Sequence, residues 1–308
     1  MRILITGGAG FIGSNLARHA LTAGHHVTVL DDLSTGSLDN LAGLDLHFLE
    51  GTLLDDAIVG RAVAGQDSVV HLAALGSVPR SILDPLATHH ANATGTLCVL
   101  EAARRAAVGQ VIVSSSSSVY GMNPAMPKHE REWVRPMSPY AVSKLATEQY
   151  VLAYQQAFGL STLAFRFFNV YGPGQRAGHT YAAVIPVFLD ALLRNDRLPI
   201  NGDGTQSRDF TYVGTVCAVL LDAILRGVSY PEPVNLAFGT NTSLLELVSV
   251  IESVAGRKAT LSHRPSRPGD VPHSQADNAC LRSLFPQVEP VSLARGLAET
   301  LAWFEEGQ

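Results

Sequence analysis

Cysteine, long apolar runs and charge of one sign are all scarce in this 308-residue chain, and each scarcity removes a class of function. Cys98, Cys217 and Cys280 are odd in number, far apart and set in apolar contexts such as Leu97-Cys98-Val99. That pattern suggests neither a disulfide framework nor a metal knuckle, so they read as reduced core thiols. No apolar run approaches the roughly 20 residues of a membrane span. The strand-like opening Arg2-Ile3-Leu4-Ile5-Thr6 leaves no room for a signal peptide, so a cytoplasmic location is expected, with no membrane partner. Without secretion, the sequons Asn92-Ala93-Thr94 and Asn241-Thr242-Ser243 carry no meaning. A net charge of -5 and a pI near 6.1 leave no basic footprint for nucleic acid. Eleven histidines are present, but the adjacent pairs His25-His26 and His89-His90 diverge, and no His-x-x-x-His or carboxylate cluster accompanies them. No metal site is expected. Internal repeats and low-complexity tails are also lacking.

What is there is a globular composition, 46% hydrophobic and 16% charged, in a length that suits one large or two medium domains. After the opening strand comes Gly7-Gly8-Ala9-Gly10-Phe11-Ile12-Gly13 and a helical run from Ser14 to Ala23. Glycine at these spacings permits a tight turn, close approach of backbone to a pyrophosphate, and helix–strand contact, while the helix start offers free amides to an anion. A second strand, Val27 to Leu30, ends at Asp31, near the ~20-residue offset of a ribose-binding acid, although a turn carboxylate would look the same. Asp31 and Asp32 have no arginine beside them and would repel a 2′-phosphate, which favours NAD over NADP.

The alternation continues with a strand at Leu46 to Leu49, a helix near Asp55 to Val63 and a strand from Ser68 to Leu72. Each strand is short and continuously apolar, as parallel strands covered on both faces should be. The expected fold class is α/β, a Rossmann-type doubly wound parallel sheet. Ala73 to Ser77, just past a strand end, should line a ligand crevice. A helical segment from about Asn92 to Ala107 leads to the strand Gln110 to Val113 and then to five serines, Ser114 to Ser118. Such a run is either a flexible polar loop or a row of hydroxyls facing the crevice.

Ser138-Pro139-Tyr140-Ala141-Val142-Ser143-Lys144 reads as a helix start. Ser138 suits the N-cap and Pro139 the first helical position. Tyr140 and Lys144 then share one face. An adjacent cation favours the ionised form of a phenol whose pKa is ordinarily near ~10, making the pair a candidate general base. The plainer alternative is one core tyrosine beside one solvated lysine.

Taken together, these motifs resemble the extended short-chain dehydrogenase/reductase superfamily, which includes sugar-nucleotide epimerases and dehydratases. The resemblance extends through Arg166-Phe167-Phe168-Asn169-Val170-Tyr171-Gly172-Pro173, Arg208-Asp209-Phe210 and Arg267-Pro268-Gly269-Asp270, and so covers nearly the whole chain. Ala74-Leu75-Gly76-Ser77-Val78-Pro79-Arg80-Ser81, Tyr181 to Pro186, Ile200 to Gly204 and His273 to Asp277 look closest to bacterial UDP-N-acetylglucosamine 4-epimerases. The resemblance implies Tyr140 as base, Lys144 as nicotinamide-ribose ligand and pKa-lowering cation, and Ser116 as the hydroxyl polarising the reacting sugar oxygen. It implies NAD contacts at Gly7, Gly10, Phe11, Ile12, Gly13, Asp31, Asp32, Leu53, Leu72, Ala73, Ala74 and Asn92. The UDP-sugar would meet Gly76, Ser77, Ser116, Ser117, Ser118, Asn169, Ala183, Val184, Arg208, Arg267, Asp270 and Ser274. A small residue at Ser274 leaves room for an N-acetyl group. For Arg208 and Arg267 the alternative is a surface ion pair, and for residues 264–273 a surface loop in place of a clamp.

Two departures stand out: Thr52-Leu53 where Asp-Ile is common, and Thr215 where an acid is usual, a threonine still able to cap the following helix. Residues 1–168 are expected to form the NAD-binding domain, joined by 211–240, with 169–210 and 241–308 as a smaller α/β substrate domain. A homodimer through the helices near 94–106 and 141–157 is expected from related enzymes. The implied reaction is 4-epimerisation through a transient 4-keto sugar. Competing readings are a dehydratase, a uronic-acid enzyme using Arg80, and a non-catalytic NAD sensor. Ser117 and Ser118 stand where related dehydratases carry Asp-Glu or Cys-Glu and cannot ionise for elimination.

Overall fold

Short apolar segments separated by helices assemble into one seven-stranded sheet in the computed structural model, which describes residues 1–178, 182–265 and 272–306. Its strands are β1 (Arg2–Thr6), β2 (His26–Asp31), β3 (His47–Glu50), β4 (Ser68–His71), β5 (Gln110–Ser116), β6 (Thr162–Phe167) and β7 (Val234–Leu236). They lie in the order β7-β6-β5-β4-β1-β2-β3, every pair parallel. Side chains on both faces of the central strands are buried, from Ile3, Leu4 and Ile5 to Val111, Ile112 and Leu163. This is why those strands read as continuous apolar runs instead of alternating ones. The order reverses between β1 and β4, so the loops Gly7–Gly10 and Leu72–Ser77 face each other across a topological switch point.

The helix Pro139–Phe158 starts as its sequence implies. Ser138 is extended and its hydroxyl accepts from the Ala141 amide at 3.1 Å, with Pro139 in the first turn. Gly159, at φ +68°, ends it in the left-handed conformation. Its inward stripe mixes Ala141 and Val151 with Lys144, Thr147 and Glu148. Glu148, fully buried, receives Arg166 from β6 at 2.9 and 2.7 Å and the Ser115 hydroxyl at 3.0 Å. Arg166 also donates to the Glu130 carbonyl at 3.0 Å and lies 4.7 Å from the Tyr120 ring centroid. The pair thus bolts this helix to the sheet.

Several boundaries differ from the sequence reading for physical reasons. The first helix spans Phe11–Thr22, starting before Ser14, because extended Gly10 serves as its N-cap. β5 runs on to Ser116, so Ser114 and Ser115 are buried sheet residues and not loop. The helix expected from about Asn92 begins at Pro85, widens by one residue per turn over His90–Thr94 and resumes as Gly95–Arg105. Thr211–Tyr212 is a short strand paired with Val170–Tyr171, and only then does the helix Val213–Arg226 begin. Thr215 therefore lies inside that helix, 2% exposed, and its hydroxyl accepts from the Val291 amide at 3.0 Å instead of capping.

Beyond Asn169 the chain builds smaller pairings. Ser207–Arg208 lies between Thr242–Ser243 and His273–Ser274, and Leu198–Asn201 pairs with Leu261–Arg264. One apolar cluster joins Ile3 and Ile5 to Phe188, Leu198, Ile251 and Leu301, so these pieces pack against the sheet's own core. Among the described residues no helix is long and apolar enough to cross a membrane, and no three His, Cys, Asp or Glu side chains gather as metal ligands. Removing Glu148 should strand the Arg166 guanidinium in the interior. Glu148→Ala is expected to lower unfolding stability by about 3–5 kcal/mol in urea titrations, and a loss below ~1 kcal/mol would contradict the bolt.

Candidate active site

The glycine turn is defined by what its backbone touches. Gly7 adopts φ +70°, and a Cβ there would lie 2.6 Å from the Ala73 backbone. A Cβ on Gly13 would lie 2.3 Å from the Gly7 carbonyl oxygen, and one on Gly10 3.2 Å from the same atom. The helix that follows, opening on Phe11 and Ile12, has no side-chain cap. Its first-turn amides therefore keep their capacity for an anion. Asp31, 7% exposed at the end of β2, accepts from the Ala9 amide at 2.9 Å and the Leu33 amide at 2.8 Å, so its carboxylate holds the glycine loop in place. Burial pushes its pKa up, opposed by those two amide bonds. Each carboxylate oxygen keeps a second lone pair. Asp32 is exposed and accepts from the Ser34 amide and hydroxyl at 3.0 and 2.6 Å. Leu53 is buried against Gly95, while Leu72 and Ala73 are tied to Thr6 by bonds of 3.1 and 3.4 Å, and Ala74 is half-buried beside them.

Across the switch point, β5 and the helix Pro139–Phe158 bring Ser116, Tyr140 and Lys144 together. Lys144, 5% exposed, donates to the Ser114 carbonyl at 2.8 Å and lies 3.3 Å from its hydroxyl. Burial draws its pKa down to about 8. Burial pushes the Tyr140 phenol up, and a hydrogen bond from Ser116 draws it back. Within the chain, then, the group that acts on Tyr140 is Ser116, while the Lys144 ammonium is anchored on Ser114. Ser116 in turn accepts from Ser118, its amide at 3.2 Å and its hydroxyl at 2.9 Å. Ser117 is half-buried at the start of the turn Ser117–Tyr120.

Sequence reasoning missed the network behind these residues. His71, 2% exposed at the end of β4, meets Thr6 Oγ1 at 2.7 Å and Thr96 Oγ1 at 2.9 Å. Thr96 donates to the Asn92 carbonyl at 2.6 Å. The Asn92 amide accepts from the Leu75 amide at 2.7 Å and donates to Ser143 Oγ at 2.9 Å, and Ser143 donates to the Tyr140 carbonyl at 2.8 Å. Asn92, 1% exposed, thus braces the chain from within, joining the β4 loop to the start of the Tyr140 helix. A polar residue closing an apolar strand was the only signal for His71.

A cleft of about 240 Å³ opens past the end of β6, lined by Asn169, Ala183, Val184, Arg208, Phe210 and Leu244. Asn169 has φ +27° and donates to the Asp209 carbonyl at 3.2 Å. Arg208 donates to the carbonyls of Ser207 and Pro272 at 2.8 and 3.2 Å, and Ser274 stands opposite it in the strand register. Asp209, fully buried, accepts from Gly239 at 3.0 Å, Thr240 at 2.8 Å and Ala276 at 3.1 Å, pinning the segment that carries Ser274. Gly76 is exposed, and Ser77 caps the helix Val78–Leu83 by accepting from Arg80 at 3.2 Å. Arg267 and Asp270 lie outside the described residues.

A glycine cradle at the switch point of a parallel sheet, with tyrosine, lysine and serine across it, defines a dinucleotide-dependent enzyme. Residues 3–237 match the model described as NAD dependent epimerase/dehydratase family, and the chain belongs to that family. Its cofactor is NAD, and the cradle fits it: a Cβ at Gly7 or Gly13 would strike the Ala73 backbone or the Gly7 carbonyl, so glycine is what lets the loop turn this tightly and leave the uncapped first-turn amides of the following helix open to a pyrophosphate. The chain is 37% identical to a UDP-glucose 4-epimerase of Mycolicibacterium smegmatis over 99% of this chain and 98% of the relative. It is 33% identical to a dTDP-glucose 4,6-dehydratase of Streptomyces niveus, covering 100% and 94%. Among solved structures, the UDP-N-acetylglucosamine 4-epimerase of Methanobrevibacter ruminantium in complex with UDP-N-acetylmuramic acid superposes with a TM-score of 0.94 at 36% identity, covering 100% and 99%.

His71 also makes stability depend on pH. Burial, then the Lys144 charge, lowers its pKa from 6.5 to about 3. The unfolded chain therefore binds an extra proton between these values, and stability present above pH 6.5 is lost as pH falls toward 3. Urea titrations from pH 7 to 4 should show a steeper loss for the parent than for His71→Gln, by up to ~1.4 kcal/mol per pH unit. Parallel curves would contradict the assignment.

Proposed function

We propose that the chain interconverts the C4 epimers of a UDP-sugar, chiefly UDP-GlcNAc and UDP-GalNAc, with UDP-glucose and UDP-galactose as a second pair. The observation that carries this reading is a reacting centre built of Ser116, Tyr140 and Lys144, with hydroxyls at Ser117 and Ser118, the two positions that follow Ser116. The 4-epimerases among its relatives support it. When bound, NAD supplies a reversible two-electron acceptor for the C4–H bond, so oxidation and reduction cancel over a cycle. Tyr140 as phenolate takes the proton of the 4-hydroxyl and later returns it to the 4-keto oxygen. Once Tyr140 carries that proton, the Ser116 proton is free to turn to the sugar oxygen and polarise it.

Bringing a phenol from ~10 to ~7 needs about 4 kcal/mol of differential stabilisation. Burial alone works against it and the Ser116 hydrogen bond draws the phenol back, while the Lys144 ammonium, charged below its value of about 8, and the positive charge of a bound nicotinamide would supply the rest. Asn169 and Arg208 hold the diphosphate, and Arg267 and Asp270 the nucleotide, while the freed 4-keto sugar turns to present its other face. Arg208 suits this because a guanidinium offers paired donors to phosphate oxygens. Ser274, opposite Arg208, leaves space for an N-acetyl group. Residues 1–168 with 211–240 serve NAD and the rest serves the UDP-sugar. We also assign a homodimer. Val142 and Tyr150, 52% and 39% exposed on the Tyr140 helix, would be covered in it; light scattering reads the mass.

Tyr140→Phe should fold and bind NAD yet lose at least ~10³-fold in turnover, and near-parental activity would sink the assignment. Incubating the parent separately with UDP-GlcNAc, UDP-glucose and UDP-glucuronate, and resolving the epimers, tests the substrate. Turnover of the non-acetylated sugars alone would overturn the Ser274 argument, and a stable 4-keto-6-deoxy product would establish a dehydratase.

A further inference from the structure

A serine hydroxyl has one proton and two lone pairs, so its bonding can be counted. Ser116 Oγ accepts from the Ser118 amide at 3.2 Å and from the Ser118 hydroxyl at 2.9 Å. Both lone pairs are then in use, and the one remaining bond Ser116 can make is a donation. We propose that Ser118 is a positioning residue: by donating its hydroxyl proton to Ser116, it leaves the single Ser116 proton to be aimed at the Tyr140 oxygen while that oxygen is ionised. This role rests on the epimerase reading, and it differs from direct contact with the sugar.

The alternative orientation shows why Ser118 matters. Without the Ser118 hydroxyl, as in Ser118→Ala, one lone pair of Ser116 opens, so Ser116 can turn to accept the proton of the neutral phenol, which favours the un-ionised form of Tyr140. The Ser118 amide cannot reverse its direction, which leaves the Ser118 hydroxyl as the deciding member. A donor that is itself hydrogen-bonded on its oxygen is also a stronger donor, so the chain Ser118 to Ser116 to Tyr140 polarises toward the phenol.

The surrounding backbone is fixed enough for this to be a built arrangement. Ser116 is the N-cap of the turn Ser117–Tyr120, so the bond that caps the turn also sets where the Ser118 side chain starts. Val119 and Tyr120, next in the chain, are 0% and 1% exposed. Tyr120 is held at both ends, its hydroxyl donating to Asn235 at 2.7 Å and its ring under Arg166 at 4.7 Å. Gly121 closes the turn at φ +51°, where a Cβ would run into the Arg135 carbonyl. Ser118 is therefore presented by a turn whose two ends are both anchored.

The test uses the NAD-loaded full chain as parent, Ser118→Ala and Ser118→Thr. Phenolate absorption of Tyr140, read as the difference from the matching Tyr140→Phe protein across pH, should reach its midpoint about one pH unit higher in Ser118→Ala. At neutral pH kcat should fall roughly tenfold with KM changed less than about twofold, because less phenolate is present. Ser118→Thr keeps the hydroxyl and should return both readings to the parental values. A Ser118→Ala midpoint that coincides with the parent, or a loss confined to KM, would overturn the proposal. Should the parent turn over no UDP-sugar at all, the phenol titration still decides about Ser118, and only the epimerase reading fails.

Discussion

The helix that carries Tyr140 and Lys144 lies on the sheet with an ammonium, a carboxylate and two hydroxyls turned inward, and the rest of the structure is arranged to make that tolerable. A buried charge without a partner costs several kcal/mol, so each inward group needs an answer from elsewhere in the fold. Lys144 is answered by Ser114 on β5 and Glu148 by Arg166 on β6. Thr147 bonds back to Ser143 and shares Thr96 with the helix Gly95–Arg105. Apolar packing alone would let the helix slide or roll along its ridge. These bonds fix its rotation and its height against β5, and so fix the phenol against Ser116.

The same constraint explains why the β4 end is polar. His71 sits where β1, β4 and the helix Gly95–Arg105 meet, and its two ring nitrogens bridge Thr6 and Thr96. Through Asn92 and Ser143 the bridge continues to the first turn of the Tyr140 helix. The glycine cradle on β1 and the base on its helix are thereby tied by one run of buried hydrogen bonds. A displacement of either would leave several polar groups unsatisfied at once, which is a stiffer restraint than contact between methyl groups. In the proposed reaction the reacting carbon must sit between NAD and Tyr140, so holding these two ends at a constant separation is the scaffold's chief contribution.

What the sequence made legible was local. Ser138 and Pro139 announced a helix start because capping is a matter of three or four neighbouring residues, and Gly7 to Gly13 announced a cradle because its geometry is enforced within one turn. The extension of β5 to Ser116 was not legible, since serine is a poor strand former and only pairing with β6 draws Ser114 to Ser116 into the sheet. The wide turn at His90–Thr94 leaves no trace in apolar periodicity, and the start of the helix Val213–Arg226 could not be read locally because Thr211–Tyr212 pairs with a strand forty residues away. His71 and Asp209 owe their importance to partners distant in the chain.

The chemistry of the crevice turns on a conflict between burial and charge. Burial lowers Lys144 to about 8 and raises Tyr140, so near neutrality the chain itself favours an ammonium beside a neutral phenol. A phenolate in such a place is sustained by donors and cations, and a neighbouring carboxylate would oppose it. Ser116 and the two positions that follow it at the end of β5 are serines, which donate hydrogen bonds without adding charge or taking protons from carbon. That choice suits a reaction in which one proton leaves an oxygen and comes back to it. Elimination needs a further acid and base poised at other carbons, and hydroxyls at Ser117 and Ser118 supply neither. The reversible character of the proposed epimerisation therefore follows from the same row of hydroxyls that orients the base.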